Sequence, residues 1–199
     1  MGQKYRASQL LDTLEKQYGS RFSVLREVTI VDPVESKLNE AYFYRTYGEY
    51  YADKIKKRGI DVDNLPDTTN YIPNQVPSSR RIDAIMSGAM DAYGEYPITA
   101  VEVKVSRADF KRDTEEKRRA WKSVTHRFIY LVPKGLITPE ETPEGCGLWY
   151  WVENNYGGRI EVAKRAEVRH GPDDFGSYFA PYLIGRASRA ERKLKSIRR

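Results

Sequence analysis

The sequence predicts an α/β protein built on one mixed β-sheet flanked by helices. Two short apolar runs, residues 81–86 and 98–105, have the Val/Ile/Ala density of buried strands. Helix-start signals at Asp32, Ser106 and Thr114 alternate with these runs, and further β-rich runs follow at 127–133, 147–153 and 159–166. The resulting order is helix, strand, strand, strand, helix, strand and a hairpin, which suits one sheet with helices packed on it.

Each element has a local cause. Residues 8–18 form a first helix, with Ser8 as N-cap and Gly19 just past its end. Leu10, Leu11, Leu14 and Tyr18 make its apolar stripe, with Glu15 at the edge. Residues 22–31 follow as a strand with Glu27 in the middle. Asp32-Pro33-Val34-Glu35 places Asp at N-cap, Pro at N1 and Glu at N3 of a helix running to Arg58, with a candidate break at Gly48 and a stop at Gly59. Tyr42, Phe43, Tyr44, Tyr47, Tyr50 and Tyr51 recur along it at three-to-four spacing. Core packing on the sheet is the plainer explanation; a platform for stacking bases or contacting a partner is the sharper one. Residues 60–79 hold three prolines and no period, and read as a loop.

Ser106-Arg107-Ala108-Asp109 opens a short helix, and Thr114-Glu115-Glu116 opens a longer one through Thr125. The turn at 154–158 (Asn-Asn-Tyr-Gly-Gly) joins the last two strands, and the chain from Pro181 is expected to be helical. Residues 1–185 thus form one domain, with a helical and loop insertion at 33–79 and a basic tail at 186–199.

The 199 residues and 40% hydrophobic content suffice for one good core. There is no apolar run of membrane-spanning length and no hydrophobic segment of a signal peptide, so a soluble, cytoplasmic protein is expected. Cys146 is the only cysteine, and His126 and His170 are the only histidines, which argues against a Cys/His zinc site. The net charge of +6 is unevenly placed: residues 101–135 carry ten basic against five acidic side chains, and residues 186–199 seven against one. Such clustering suits contact with a phosphate backbone, although basic tails also serve simply as solvated ends.

The chemistry concentrates in the two apolar runs. Alternation along a strand sends Glu102 and Lys104 to one face, and Val101, Val103 and Val105 to the other. An isolated Glu-x-Lys in an edge strand is ordinarily a solvated pair. Asp83 on the preceding run, with Gly88 and Gly94 between, makes a second carboxylate among β-branched residues. Such groups are costly to bury unless they pair or hold a metal. Two carboxylates for a hard divalent cation and an ammonium beside a phosphate are what a metal-dependent phosphodiesterase needs.

These residues resemble the PD-(D/E)xK nuclease superfamily, whose restriction-endonuclease-like αβββαβ core carries Asp on its second strand and Glu-x-Lys on its third. Within it the chain is similar to the MmcB-like DNA-repair group. The likeness runs through Arg80-Arg81-Ile82-Asp83-Ala84, Val101-Glu102-Val103-Lys104-Val105-Ser106, Asp109-Phe110, Lys117 with Trp121, 128–133 (Phe-Ile-Tyr-Leu-Val-Pro), and Gly147-Leu148. It covers about residues 80–166; the insertion at 33–79 and the basic tail depart from it.

The resemblance implies a nuclease hydrolysing DNA phosphodiester bonds in repair, recombination or processing. Asp83 and Glu102 would ligate Mg2+, with Mn2+ as the alternative ion and the Val103 carbonyl as a backbone ligand. Glu27 or Glu15 would supply a further carboxylate. Lys104 would act on the hydrolytic water or on the phosphate; neighbouring carboxylates oppose the depressed pKa of a base, so the electrostatic role is preferred. Lys117, Arg118, Lys111 and Arg107 are candidate phosphate contacts, against the alternative of a solvated helix face. Ser106 reads as a helix cap, His126 as structural, and Trp121, Trp149 and Trp151 as core. A rival expectation is a non-catalytic nucleic-acid-binding or adaptor module on the same fold. The sequence leaves open DNA versus RNA, endo- versus exonuclease action, one metal versus two, and monomer versus dimer.

Overall fold

A computed structural model describes residues 5–73, 76–88, 97–169, 183 and 185–187. Helix α1 (Ala7–Tyr18) starts one residue earlier than expected, because Arg6 rather than Ser8 is its N-cap. The Gln9 side chain reaches back to accept from the Arg6 N–H at 2.8 Å. Leu10, Leu11 and Leu14 are buried, as the stripe requires.

Strand β1 (Ser23–Val31) then runs into α2 (Pro33–Thr46), whose N-cap is Asp32 as read from the sequence. The buried Asp32 carboxylate accepts from the Val34 and Glu35 N–H groups at 2.9 and 3.1 Å. The expected long helix is broken: α2 ends at Thr46, and α3 (Ala52–Arg58) follows, closing on Gly59 in the left-handed conformation. Of the insertion's aromatics Tyr44 is buried against Tyr51, Tyr42 and Tyr51 are half-buried, and Phe43, Tyr47 and Tyr50 are exposed, so burial explains only part of the row.

The remaining strands are β2 (Ser79–Ser87), β3 (Ile98–Val103), β4 (Arg127–Pro133), β5 (Gly147–Val152) and β6 (Arg159–Lys164). Helices α4 (Arg107–Lys111) and α5 (Glu115–Val124) lie between β3 and β4, capped by Ser106 and Thr114 as expected. All six strands form one sheet in sequence order. The β3/β4 and β4/β5 pairs are parallel and the other three are antiparallel, so the sheet is mixed. Among the described residues no helix is long and apolar enough to cross a membrane. Gly94, His170 and positions 188–199 of the tail lie outside the described residues; 183 and 185–187 are helical.

The sheet separates two apolar clusters. On one face α1 packs on Ala84, Met86, Val101, Val103, Leu131 and Trp151. On the other, Trp121 and Val124 of α5 meet Ile82, Ile85, Ala100, Phe128 and Tyr130. The β4–β5 connection closes over this second face through Ile137 and Cys146. His126 is structural, as expected: its Nδ1 accepts from the Ile98 N–H at 3.1 Å.

The β5–β6 turn is fixed by a contact invisible in its sequence. Gly158 sits at φ +140° against the Trp151 indole, whose Nε1 donates to Thr13 Oγ1 at 2.8 Å. A Cβ at Gly158 would lie 2.4 Å from that nitrogen. Gly158→Ala is therefore expected to lower stability by about 1–3 kcal/mol. Urea unfolding should show a lower midpoint at unchanged slope; an unchanged midpoint would contradict the contact.

Candidate functional site

The site forms where the first three strands depart from regular pairing. Arg26 opposes Ala84 and Val28 opposes Ile82, so Glu27 and Asp83 face each other in the β1–β2 ribbon. Around them the pleat loses its alternation. Leu25 and Val28, three residues apart, contribute to one cluster, as do Ile82 and Ile85. In a regular strand, residues two apart share a face. Glu27 absorbs the irregularity at φ +50°, a conformation that a non-glycine residue adopts at a cost of roughly 1–3 kcal/mol.

The β2–β3 ladder stops at the same level. Its last pair is Ala84 with Val101, and beyond it Asp83 takes over the pairing: its Oδ2 accepts from the Val103 N–H at 2.8 Å. The β3–β4 ladder meanwhile continues, with the Lys104 N–H donating to the Leu131 carbonyl at 3.1 Å. Asp83 thus stands in an opening between two strands, tied by one oxygen to the backbone that carries Glu102 and Lys104. Lys104 itself lies just past the end of β3.

Glu102 is the electrostatic centre. Its side chain is 4% exposed, and Oε1 accepts from Lys104 Nζ at 2.9 Å and from Lys117 Nζ at 2.5 Å. Its Oε2 is buried and has no hydrogen-bond partner, so half of an anionic group stands desolvated and unsatisfied. Burial first, and then the charge of Asp83, hold the Glu102 carboxyl above the usual range against the pull of Lys117 and Lys104. Burial works against the Lys104 ammonium, but Glu102 and Asp113 outweigh it and leave it raised. Lys104 is therefore a persistent cation and not a proton acceptor near neutrality.

Behind Lys104 lies a second buried ionic group, on a residue outside the expected site. Asp113, in the link between α4 and α5, has a side chain 1% exposed. Its Oδ1 is 3.2 Å from Lys104 Nζ, and its Oδ2 accepts from Arg118 Nη1 at 3.0 Å and from the Tyr130 hydroxyl. Burial would raise this carboxyl, but the Tyr130 hydroxyl, Lys104 and Arg118 together hold it below the usual range. Tyr130 is pushed up in turn, by burial and by Asp113, so its proton stays on the hydroxyl. Asp113 thus gives the Lys104 ammonium a second carboxylate besides Glu102.

The other candidate residues divide. Glu27 lines a cavity of about 540 Å³ together with Asp83, Arg26, Arg81 and Arg186, and its carboxylate is 3.9 Å from the Arg81 guanidinium. Glu15 is spent on Arg26, whose Nε donates to it at 2.7 Å, so it does not belong with Asp83. Arg118 is not a surface contact as expected: its side chain is 14% exposed and is taken up by Asp113 and Glu115. Lys117 also points inward, to Glu102. Arg107 pairs with Glu141 and donates to the Leu136 carbonyl, while Lys111 is exposed at the end of α4.

No family model and no curated protein matches this chain. One solved structure is similar, a protein of unknown function from Silicibacter pomeroyi. It is 25% identical over 59% of this chain and 70% of that one, with a TM-score of 0.39.

Proposed function

We propose that this chain is a divalent-cation-dependent nuclease hydrolysing DNA phosphodiester bonds, with Mg2+ as its ion and Mn2+ able to substitute. One observation carries the reading: a buried Glu102 carboxylate with one oxygen unpartnered, close enough to Asp83 for that charge to raise it, and fixed beside a Lys104 that stays charged. A hard cation between the two carboxylates would relieve both the orphaned oxygen and the like-charge repulsion. Among the described residues no group of three or more His, Cys, Asp or Glu side chains is placed to hold a metal ion, so the ion would rest on two carboxylates and a backbone oxygen. Mg2+ characteristically takes one or two carboxylates and keeps its waters.

Asp83, Glu102 and the Val103 carbonyl would hold the ion, with Glu27 across the β1–β2 ribbon as the further carboxylate. When bound, it supplies a nucleophilic water and neutralises charge on the phosphate. The protein's own contribution is positioning and electrostatics. Asp83 is oriented by the Val103 N–H, and Lys104 is pinned between Glu102 and Asp113 with a fixed positive charge. A charge held in a low-dielectric site stabilises a developing phosphorane without reorganising during the reaction.

A second reading, a non-catalytic nucleic-acid-binding or adaptor module, draws support from the exposed, stacked Phe43 and Tyr47 rings and from the exposed Tyr50 on the insertion. The two are separated by incubating the purified protein with linear, circular, single-stranded and branched DNA in Mg2+, Mn2+ or EDTA. Cleavage that EDTA abolishes is the expected outcome. Salt-sensitive binding without turnover in either metal would favour the module instead.

A further inference from the structure

We propose that Lys117 is a built-in counter-ion that competes with the divalent cation for Glu102 and gives up the carboxylate when the cation binds. The inference rests on the metal-dependent reading above and adds a step to it. Its basis is that two ammonium groups converge on one oxygen, Glu102 Oε1, yet are anchored very differently.

Lys104 is fixed. Its side chain is 6% exposed, its Nζ has a second carboxylate in Asp113 at 3.2 Å, and its backbone N–H is locked to Leu131. Lys117 is not. Its side chain is 30% exposed, it lies in the first turn of α5, and Glu102 is the partner its ammonium contacts among the described residues. Of the two cations, only Lys117 can leave without stranding a charge in the interior. Its long flexible stem opens to water, where an ammonium is strongly hydrated.

The adjacent Oε2 is buried and unpartnered, so a cation that satisfies it arrives within a few ångströms of the Lys117 ammonium. Like charges at that range in a desolvated site repel strongly, and the more exposed one yields. Lys117 thereby keeps Glu102 neutralised and the buried site stable in the absence of metal. Once displaced, it remains tethered beside the carboxylate as a free positive charge for an arriving phosphate. The device sets a threshold: affinity for the cation is reduced by the free energy of the ion pair it must break.

The test measures cation binding without DNA. Mn2+ titration by calorimetry is run on the full chain, on Lys117→Gln and on Lys117→Met, with thermal unfolding in EDTA and in Mn2+ alongside. Both variants should bind Mn2+ roughly ten-fold or more tightly than the wild type. Their melting temperatures should be lower than wild type in EDTA and should rise further than wild type when Mn2+ is added. Lys117→Arg, which keeps the charge, should not gain affinity. If the wild type binds Mn2+ and both neutral variants bind equally or more weakly, Lys117 is a fixed structural partner and this inference falls while the metal site stands. If neither the wild type nor the variants bind Mn2+, the metal-dependent reading falls and takes this one with it.

Discussion

Glu102→Gln and Asp83→Asn are each expected to reduce divalent-cation-dependent DNA cleavage by roughly 10³-fold or more, with the chain still folded. The magnitude follows from the several kcal/mol that a metal ion contributes to phosphoryl transition-state charge, at 1.36 kcal/mol per decade of rate. Folding should survive for identifiable reasons. An asparagine carbonyl at position 83 can still accept from the Val103 N–H, which preserves the junction between β2 and β3. A glutamine carbonyl at position 102 can still accept from Lys104, and Lys117 can turn to water. If both carboxylates serve one ion, as proposed, the double variant should be no worse than the worse single. The measurement is single-turnover cleavage of a supercoiled plasmid with far-ultraviolet circular dichroism as the folding control. Wild-type rates in either folded variant would refute the assignment.

Asp113→Ala should be the most destabilising single change near the site, by about 3–5 kcal/mol. Asp113 is the common partner of Lys104, Arg118 and Tyr130, and removing it leaves two cations behind, Lys104 6% and Arg118 14% exposed. That loss is comparable with the whole stability of many domains, so folding at physiological temperature is at stake. The pH dependence has a definite sign. Asp113 is held below its ordinary value in the fold, so its contribution is complete above the unfolded carboxylate pKa of about 4. It is then lost as pH falls through the lowered folded value. Asp113→Asn should accordingly flatten the stability profile below about pH 4 while lowering it near neutrality. Urea unfolding across pH 3 to 8 measures both effects. A variant matching wild-type stability at pH 7 would show that the buried ionic group contributes nothing.

The order of elements along the chain, the caps at Asp32, Ser106 and Thr114, and the placement of Asp83 and Glu102 on strands are legible because each depends on local spacing or local hydrogen bonding. The inward role of Lys117 and Arg118 has a sequence signal in their spacing from Trp121. Trp121 is fully buried, and residues three and four before it on α5 must share its face. By that rule both cations lie on the inner face of α5, where Lys117 meets Glu102 of β3 and Arg118 meets Asp113 of the α4–α5 link. Asp113 had no such signal, since an acidic residue one position before a helix cap is ordinary surface chemistry. Its burial is decided by Tyr130 on a strand 17 residues away. The left-handed backbone at Glu27 is equally illegible, because conformational preference does not place a glutamate at positive φ. The break between α2 and α3 was signalled by Gly48, but its length was not, since the exposed tyrosines keep the same spacing in a turn as in a helix.

The way the 33–79 excursion is attached bears on how such a protein can change. Val31 and Ser79 are direct cross-strand partners, so the segment leaves and re-enters the β1–β2 ribbon at one point. That stem is riveted by Arg80, which donates to Asp32 at 2.7 Å and to Glu35 at 2.9 Å, and by the Asp32 N–H to the Ser78 carbonyl at 2.7 Å. A cassette joined at adjoining ends can be trimmed, lengthened or exchanged for another without moving any strand pair, much as a hairpin tolerates a new tip. Its outer rings lie beyond that stem, four residues along the ribbon from Glu27 and Asp83, while α2 itself rests on α5, so new tips are tolerated best on the part of the cassette beyond α2.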